Sequence, residues 1–472
     1  MITSRRWICV LIASNNNPNR NGGGHFLQKN DEMKRYLSNI QIGLLVFFFS
    51  GCQQNSPDRT DGPAVIDFLQ QVGNYQPVSV SEFVSELEYI PLETGENCFI
   101  GEDVRSQNTI VTKSHIFVTG TTFCYAFSRD GKFITEIGRV GQGPGEYSQI
   151  TDDGIFIDEK KQSLYMIVIP FAILEYSWDG VFRRSIKLPK NTLGNHPRGI
   201  SLVRDSIFIG HNPNYSGDQE YHFFLFDTSG KIIKTFDNHV KIARSAMRWS
   251  SDEESMKPFR FSDCIYVKER PNDTLYYLNE QDELVPQFVF NLGKYSYDKK
   301  RRANPSVLEG REGVIFIPFF VHNTMVGASN HIFFSTFPNN SYIPLPRGRE
   351  SKLILPPGAV RPNSSYGYPV AFPLGIYDTV NKTTRLLDTD PVSRMSGLIN
   401  DLDGGLPFWP VYCNSDYELV DMRQAYTMKE DLTEEYFADR EIKNPQAHQK
   451  LRELLKTLKD DDNPVVVIAK LK

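Results

Sequence analysis

The stretch that decides the fold is YAFSRDGKFI, at residues 125–134. It consists of an apolar strand, an Asp-Gly turn and a second apolar strand. Asp-Gly between alternating strands is the strongest short-range signal for a β-hairpin, because both residues tolerate the positive φ of a tight turn. The stretch therefore predicts one antiparallel hairpin.

The hairpin recurs three times downstream in the chain. The copies are LEYSWDGVF at 174–182, FLFDTSGKII at 224–233 and YLNEQDELV at 277–285, of which the last has no glycine. Successive turns are 49, 50 and 53 residues apart, and a further short strand precedes each copy. A period near fifty with about four strands per unit is typical of β-propeller blades.

The remaining strands complete a ring. HIFFSTF at 331–337, LGIYD at 374–378 and TRLL at 384–387 form a fifth unit, which a Pro-rich insertion at 339–365 interrupts. The strands near 87–92 and 464–471 lack neighbours in sequence, so we expect them to pair in a sixth blade that leaves no exposed edge.

Asn444 and Pro445 begin an apolar stripe at helical spacing that predicts one structural helix packed on the ring. The fold class is therefore an all-β, six-bladed β-propeller. It carries a C-terminal helical insertion, and both chain ends close the ring.

The N-terminal region has the order of an export signal. Lys34 and Arg35 precede the apolar run IQIGLLVFFF at 40–49, and Ser-Gly then leads to Cys52. This order resembles the bacterial lipobox, which predicts lipidation at Cys52 and attachment to the cell envelope, at the outer membrane. The predicted boundaries are an upstream extension at 1–32, a signal peptide at 33–51, a tether at 52–82 and the propeller at 83–472.

The net charge of the chain bears on the class of its binding partner. The chain carries a net charge of −5, and removal of residues 1–51 with their six Lys/Arg and two Asp/Glu leaves −9. An acidic chain lacks the basic footprint of a nucleic-acid-binding protein.

Beyond Cys52, the cysteines Cys98, Cys124, Cys264 and Cys413 form no C-x-x-C pair. Three disulfide pairings and buried free thiols all remain open.

One loop and three shorter segments carry a family resemblance. The loop GRVGQGPGEY at 138–147 resembles the GxGPGEY stretch of a six-bladed β-propeller lipoprotein family from anaerobic gut bacteria. YIPLET at 89–94, NDLDGG at 400–405 with FWP at 408–410, and DNPV at 462–465 are similar to the same family. The loop is also similar to NHL-type repeats. The resemblance implies a TolB-like propeller over roughly residues 83–472 and no established general function.

The same loop supplies the candidate binding site. A connection between two blades runs over the face that carries ligands in many propellers, and glycines allow close backbone approach. The alternative is that these glycines only permit a tight crossover. Two aspartates follow where the next inner strand begins, so the candidate binding residues are Gly141, Gly143, Gly145, Glu146, Tyr147, Asp152 and Asp153. Asp401 and Asp403 lack the further ligands of a calcium loop and are expected to form a polar turn.

Sequence motifs favour binding over catalysis. The chain contains no G-x-S-x-G, H-E-x-x-H or P-loop motif. We therefore expect a binding module for a glycan, a peptide or an envelope protein, with no catalytic residue, cofactor or metal ion. The alternative is a propeller enzyme, a lactonase-like hydrolase or a lyase, with a channel metal held by residues from several blades.

Overall fold

The computed structural model describes residues 62–101, 109–189, 196–242, 256–293, 296, 314–316, 319–338, 352–354, 374–393 and 395–472. The predicted signal peptide, Cys52 and the first part of the tether lie outside these residues, as does most of the predicted insertion at 339–365. Within the described ranges, no helix is long and apolar enough to cross a bilayer.

Blades 1 to 3 are antiparallel sheets whose four strands follow one another in chain order. Blade 1 consists of Thr109–Val111, His115–Thr119, Cys124–Ser128 and Phe133–Glu136. Blade 2 consists of Gln149–Asp158, Ser163–Ile169, Ala172–Ser177 and Phe182–Lys187. Blade 3 consists of Arg198–Arg204, Ile207–His211, Tyr221–Asp227 and Ile232–Asp237. The predicted hairpins join the third and fourth strands of these blades.

Blades 4 to 6 complete the six-bladed β-propeller that the sequence predicts. Blade 4 consists of Phe259–Phe261, Cys264–Val267, Thr274–Leu278 and Leu284–Phe290. Blade 5 consists of Phe319–Ala328, His331–Pro338, Leu374–Asp378 and Thr383–Leu387. Blade 6 consists of Tyr412–Cys413, Glu418–Arg423, Val465–Leu471 and Val84–Pro91. Two short parallel pairs lie outside the blades: Arg139–Val140 with Glu146–Tyr147, and Val314–Phe316 with Lys352–Ile354.

Both chain ends close the ring in blade 6, as predicted. The C-terminal strand Val465–Leu471 pairs on one side with Glu418–Arg423 and on the other with Val84–Pro91, both antiparallel. Because the third strand comes from the C-terminus and the fourth from the N-terminus, one antiparallel ladder joins the two chain ends at the closure.

The ordered fold begins earlier than the predicted boundary at residue 83. Ala64–Ile66 pairs in parallel with the outer strand of blade 4, and Tyr75–Gln76 pairs in parallel with the outer strand of blade 5. Two short 3₁₀ helices, Leu69–Gln71 and Val80–Glu82, connect these contacts to blade 6. Residues 64–82 therefore form a belt along three blades, where the sequence pattern predicted a tether.

Antiparallel strands give the ring two distinct faces. The turns between strands one and two, and between strands three and four, lie on one face, which we call the turn face. The loops between strands two and three, and the connections from one blade to the next, lie on the opposite face, which we call the crossover face. The loop at 138–147 joins blade 1 to blade 2 and thus belongs to the crossover face.

A helical insertion separates the second and third strands of blade 6. It contains α1 (Ala425–Asp431), α2 (Glu434–Ala438) and α3 (Pro445–Thr457). The predicted helix is α3, and Asn444 caps it by accepting a hydrogen bond from the Ala447 amide at 3.1 Å. Leu451 and Leu458 bury against the other two helices and Val465. The helix thus packs on the propeller as predicted, while α1 and α2 add to the single helix expected.

Candidate functional site

The long connections of the propeller leave from the crossover face. They include the loop at 138–147, the connection from blade 5 to blade 6 at 388–411 and the helical insertion of blade 6. The strand-three-to-four turns of blades 1 to 4 on the opposite face are tight hairpins. Because binding residues concentrate on loops that a rigid scaffold positions, the crossover face is the place to look for a site.

Glu146 holds the loop at 138–147 in shape. Its carboxylate accepts a hydrogen bond from the Gly143 amide at 2.7 Å and another from Nε of Arg139 at 2.7 Å. These two donors hold the pKa of the Glu146 carboxyl below its usual range. A Cβ at Gly141 would lie 2.0 Å from Oε2 of Glu146. Glu146 and Gly141 therefore have partners within the loop itself.

The C-terminal end of this loop packs against blade 2. Gly145 has φ +76°, and a Cβ there would lie 2.6 Å from the Phe182 ring. The hydroxyl of Tyr176 donates a hydrogen bond to the Gly145 carbonyl oxygen at 2.5 Å. Tyr147 is fully buried in the core of blades 1 and 2. The structure therefore gives these residues packing contacts, and a ligand role for the loop remains a prediction.

The two predicted aspartates lie in a bulge of the inner strand of blade 2. The ladder between Gln149–Asp158 and Ser163–Ile169 shifts register between Ile150 and Ile155. Asp152 lies in this bulge and is exposed. The side chain of Asp153 lies outside the described part of the chain. A β-bulge re-aims side chains beside many sites, but a ligand role for either aspartate is still a prediction.

Asp401 and Asp403 hydrogen-bond the connection before blade 6 to other parts of the propeller. Asp401 accepts hydrogen bonds from Oγ of Ser81 at 2.6 Å and from Nζ of Lys443 at 2.6 Å. Asp403 accepts one from the Tyr89 hydroxyl at 3.1 Å, and burial raises the pKa of this carboxyl. The two carboxylates thus join the belt, the outer strand of blade 6 and the segment before α3.

A buried cluster of His211, His222 and Glu269 lies between blades 3 and 4 at the crossover face. Oε1 of Glu269 lies 2.5 Å from Nδ1 of His222 and 3.3 Å from Nε2 of His211. The side chains of His211 and Glu269 are 0% and 2% exposed, whereas that of His222 is 12% exposed. Two imidazoles of one blade therefore hold a carboxylate of the next.

The histidines keep Glu269 ionised. Burial alone would raise the pKa of this carboxyl, but hydrogen bonds from His211 and His222 outweigh burial and lower the pKa. Nδ1 of His211 is buried without a hydrogen-bond partner. Lys268 is buried beside the cluster, and its Nζ donates to the backbone carbonyl oxygens of Glu269 and Arg270 at 2.9 and 3.1 Å. A buried lysine therefore lies next to the buried carboxylate in the chain.

The sequence motifs did not predict this cluster, although a signal was present. Ile207 and Ile209 alternate toward the inter-blade core, and the next position in that alternation is His211. Ile265 and Val267 alternate in the same way and lead to Glu269. A polar residue that continues an inward-facing alternation marks a buried polar contact. The pairing of blades 3 and 4 was needed to show that the two residues meet.

Metal-binding and disulfide alternatives can be compared with the described residues. Among them, no group of three or more His, Cys, Asp or Glu side chains is arranged to hold a metal ion. Cys98, Cys124, Cys264 and Cys413 are free thiols, and the first two are buried. All four cysteines are therefore free thiols, and Cys264 and Cys413 are only partly buried.

Solved structures align with this chain at low sequence identity. A protein from Bacteroides fragilis described as exported aligns with TM-score 0.57 and 16% identity, over 86% of this chain and 99% of that chain. A member of the DUF4221 family from Bacteroides vulgatus aligns with TM-score 0.41 and 9% identity, over 82% and 97%. Virginiamycin B lyase from Staphylococcus aureus aligns with TM-score 0.37 and 11% identity, over 71% and 81%. The first of these supports the propeller fold.

A family model accounts for the folded part of the chain. No curated protein sequence matches the chain significantly. The model for a domain of unknown function, DUF4934, matches residues 63–470. This range begins at the start of the belt and ends in the C-terminal strand of blade 6. The chain therefore belongs to the DUF4934 family.

Proposed function

We propose that the chain is an exported, lipid-anchored propeller that binds a ligand or partner at its crossover face in the cell envelope. The observation that carries the proposal is the His211–Glu269–His222 cluster at this face, where a polar centre is built between two blades. The long connections of the same face supply loop surface around a rigid ring. The TolB-like or NHL-like character that the loop at 138–147 suggests belongs to this proposal.

The attachment is supported by the Lys34-Arg35, apolar-run and Ser-Gly-Cys52 order. We expect Cys52→Ala to release the protein from membrane fractions or to leave it unprocessed, because the lipid-accepting thiol is absent. Cell fractionation followed by intact-mass measurement tests this. Cys264→Ala is the matched control and should remain with membranes. A Cys52→Ala protein that is processed and sediments like wild type would exclude lipidation at this residue.

The location of binding can be tested before the ligand is identified. Purified protein is screened by thermal shift against glycans, peptides and envelope extracts, since a ligand of the native state raises the melting temperature. Hydrogen–deuterium exchange with each stabilising sample then maps protection. We expect protection at 138–147, 211–222 and 268–273. Protection confined to the hairpin turns of the turn face would contradict the proposal.

The enzyme alternative predicts a different result. Elemental analysis and melting curves with and without a chelator separate the two functions. A stoichiometric metal ion, lost on chelation together with a hydrolase or lyase activity, would replace the binding proposal. Stabilisation by a ligand without turnover would support binding.

A further inference from the structure

His222 and Glu269 form a carboxylate–imidazole pair with one free nitrogen. Nδ1 of His222 lies 2.5 Å from Oε1 of Glu269, and an ionised carboxylate only accepts hydrogen bonds. Nδ1 therefore carries the proton. In the neutral ring the other nitrogen, Nε2, is then a hydrogen-bond acceptor. The pair thus fixes both the tautomer and the orientation of the ring.

Nε2 of His222 is available to a ligand. No described residue hydrogen-bonds this atom, and the His222 side chain is the most exposed of the three in the cluster, at 12%. The backbone around it is fixed, because the Asn212 amide donates to the His222 carbonyl oxygen at 2.6 Å. The acceptor therefore has a defined position at the crossover face between blades 3 and 4.

The charges around this acceptor favour an uncharged ligand. Glu269 is buried behind the imidazole ring and does not reach the surface, so it offers no direct ion pair to a cation. Lys268 is buried next to Glu269, and its Nζ donates to the Glu269 backbone carbonyl oxygen. The Nε2 lone pair of the neutral ring offers an anion no hydrogen-bond donor. A neutral hydroxyl group is the donor that fits.

We propose that His222, oriented by Glu269, accepts a hydrogen bond from a hydroxyl group of an uncharged, polyhydroxylated ligand at the crossover face between blades 3 and 4. This inference rests on the proposed binding function and names the chemistry of its ligand. His222 is the contacting residue and Glu269 is a positioning residue.

The pair itself is tested first, on the full-length processed protein without ligand. Neutral imidazole nitrogens react with diethyl pyrocarbonate, so peptide mass mapping should find His222 modified and the fully buried His211 protected. NMR of protein labelled with ¹⁵N-histidine should show His222 as the Nδ1–H tautomer. Glu269→Gln should shift that tautomer towards Nε2–H, while exposed His239 stays unchanged. A wild-type His222 that is unreactive, or that carries its proton on Nε2, would overturn the inference.

The ligand chemistry is tested with three probe sets: neutral oligosaccharides, uronic-acid oligosaccharides and amino-sugar oligosaccharides. We expect binding to the neutral set, and we expect His222→Ala to weaken it about 3- to 10-fold, as loss of one hydrogen bond implies. His239→Asn is the matched control and should bind like wild type. Circular dichroism confirms that each variant is folded, and His222→Gln serves if His222→Ala is not.

Three results of the ligand experiment count against the inference. Preference for a charged set, or neutral binding unchanged by His222→Ala, overturns the hydroxyl–His222 contact. Stabilisation by a peptide or envelope protein at the crossover face, without any oligosaccharide binding, overturns this inference and leaves the proposed function standing. Protection mapped only to the turn face overturns both.

Discussion

Asp282 takes the positive-φ position of the repeated hairpin in blade 4, one residue before the position at which the sequence spacing aligns Glu283 with glycine. Its φ is +60°, the left-handed region that Asp and Asn enter more readily than other residues with a side chain. Oδ1 of Asn279 accepts hydrogen bonds from the amides of Gln281 and Glu283 at 3.0 and 2.8 Å and so supports the turn. The copy that looks degenerate in sequence therefore forms the same hairpin by other side chains.

The glycines of the loop at 138–147 differ in what they tolerate. We expect Gly145→Ala to destabilise the protein by about 1–3 kcal/mol, because it adds strain at a positive φ and a contact with the Phe182 ring. Urea unfolding measures the effect. Gly143→Ala is the control, since its added Cβ meets the end of the flexible Glu146 side chain at 3.1 Å. Equal effects of the two substitutions would argue against the packing role of Gly145.

Glu269 should give the protein a distinct acid response. We expect Glu269→Gln to cost about 1.5–3 kcal/mol at neutral pH, because charge-assisted hydrogen bonds to His211 and His222 are weakened. The pKa of Glu269 is lowered in the folded protein, from an ordinary value of 4.5. Its contribution is therefore fully present above about pH 4.5 and is lost as the pH falls towards the folded pKa.

Urea unfolding of wild type and Glu269→Gln between about pH 3 and 7 tests this dependence. Below about pH 4.5 the difference in unfolding free energy should shrink as the pH falls. Glu96→Gln, at an exposed position, is the control and should match wild type throughout. A difference that does not shrink between about pH 4.5 and 3 would contradict the lowered pKa of Glu269.

At the scale of elements, the C-terminal strand is the centre of blade 6. Ile468 is fully buried and lies opposite Val420 on one neighbouring strand and Glu88 on the other. We expect Ile468→Ala to destabilise the protein by about 2–5 kcal/mol, because it removes buried methyl groups at the ring closure. Lys470→Ala removes only a half-exposed ion pair with Glu86 and should cost less than about 1 kcal/mol.

Hydrogen exchange locates the effect of Ile468→Ala. The amides of the N-terminal strand near Leu87 and Ile90 should exchange faster than in wild type, because that strand pairs only with the C-terminal one among the strands that the structure describes. Unchanged exchange there, with the loss confined to distant blades, would contradict closure by both chain ends.

For the whole molecule, the belt at 64–82 adds to the closure. Phe68 is fully buried in a core shared with blades 4 and 5, together with Phe290 and Leu386. We expect Phe68→Ala to destabilise the folded chain by about 3–5 kcal/mol, as measured by urea unfolding. Val65→Ala is the control, because Val65 is 54% exposed. Wild-type stability of Phe68→Ala would mean that these residues do act as a tether.

The sequence by itself determined the blades and the closure. Each hairpin is encoded by adjacent residues: a turn signal at 130–131 or 179–180 and alternating apolar positions on either side. Such local patterns are visible whichever strand is the partner. The C-terminal strand was predictable because 464–471 is strongly apolar and has no neighbour in sequence, so only the other chain end could complete its blade.

Only the tertiary structure decided the belt and the polar cluster. Residues 53–63 are polar and turn-rich, and the few apolar side chains after them, such as Ile66 and Phe68, show no strand period. Their partners are outer strands more than two hundred residues away, so no local pattern reveals the pairing. His222 and Glu269 are likewise 47 residues apart and belong to different blades. Local sequence specifies strands and turns, whereas a contact between blades exists only once the ring has brought them together.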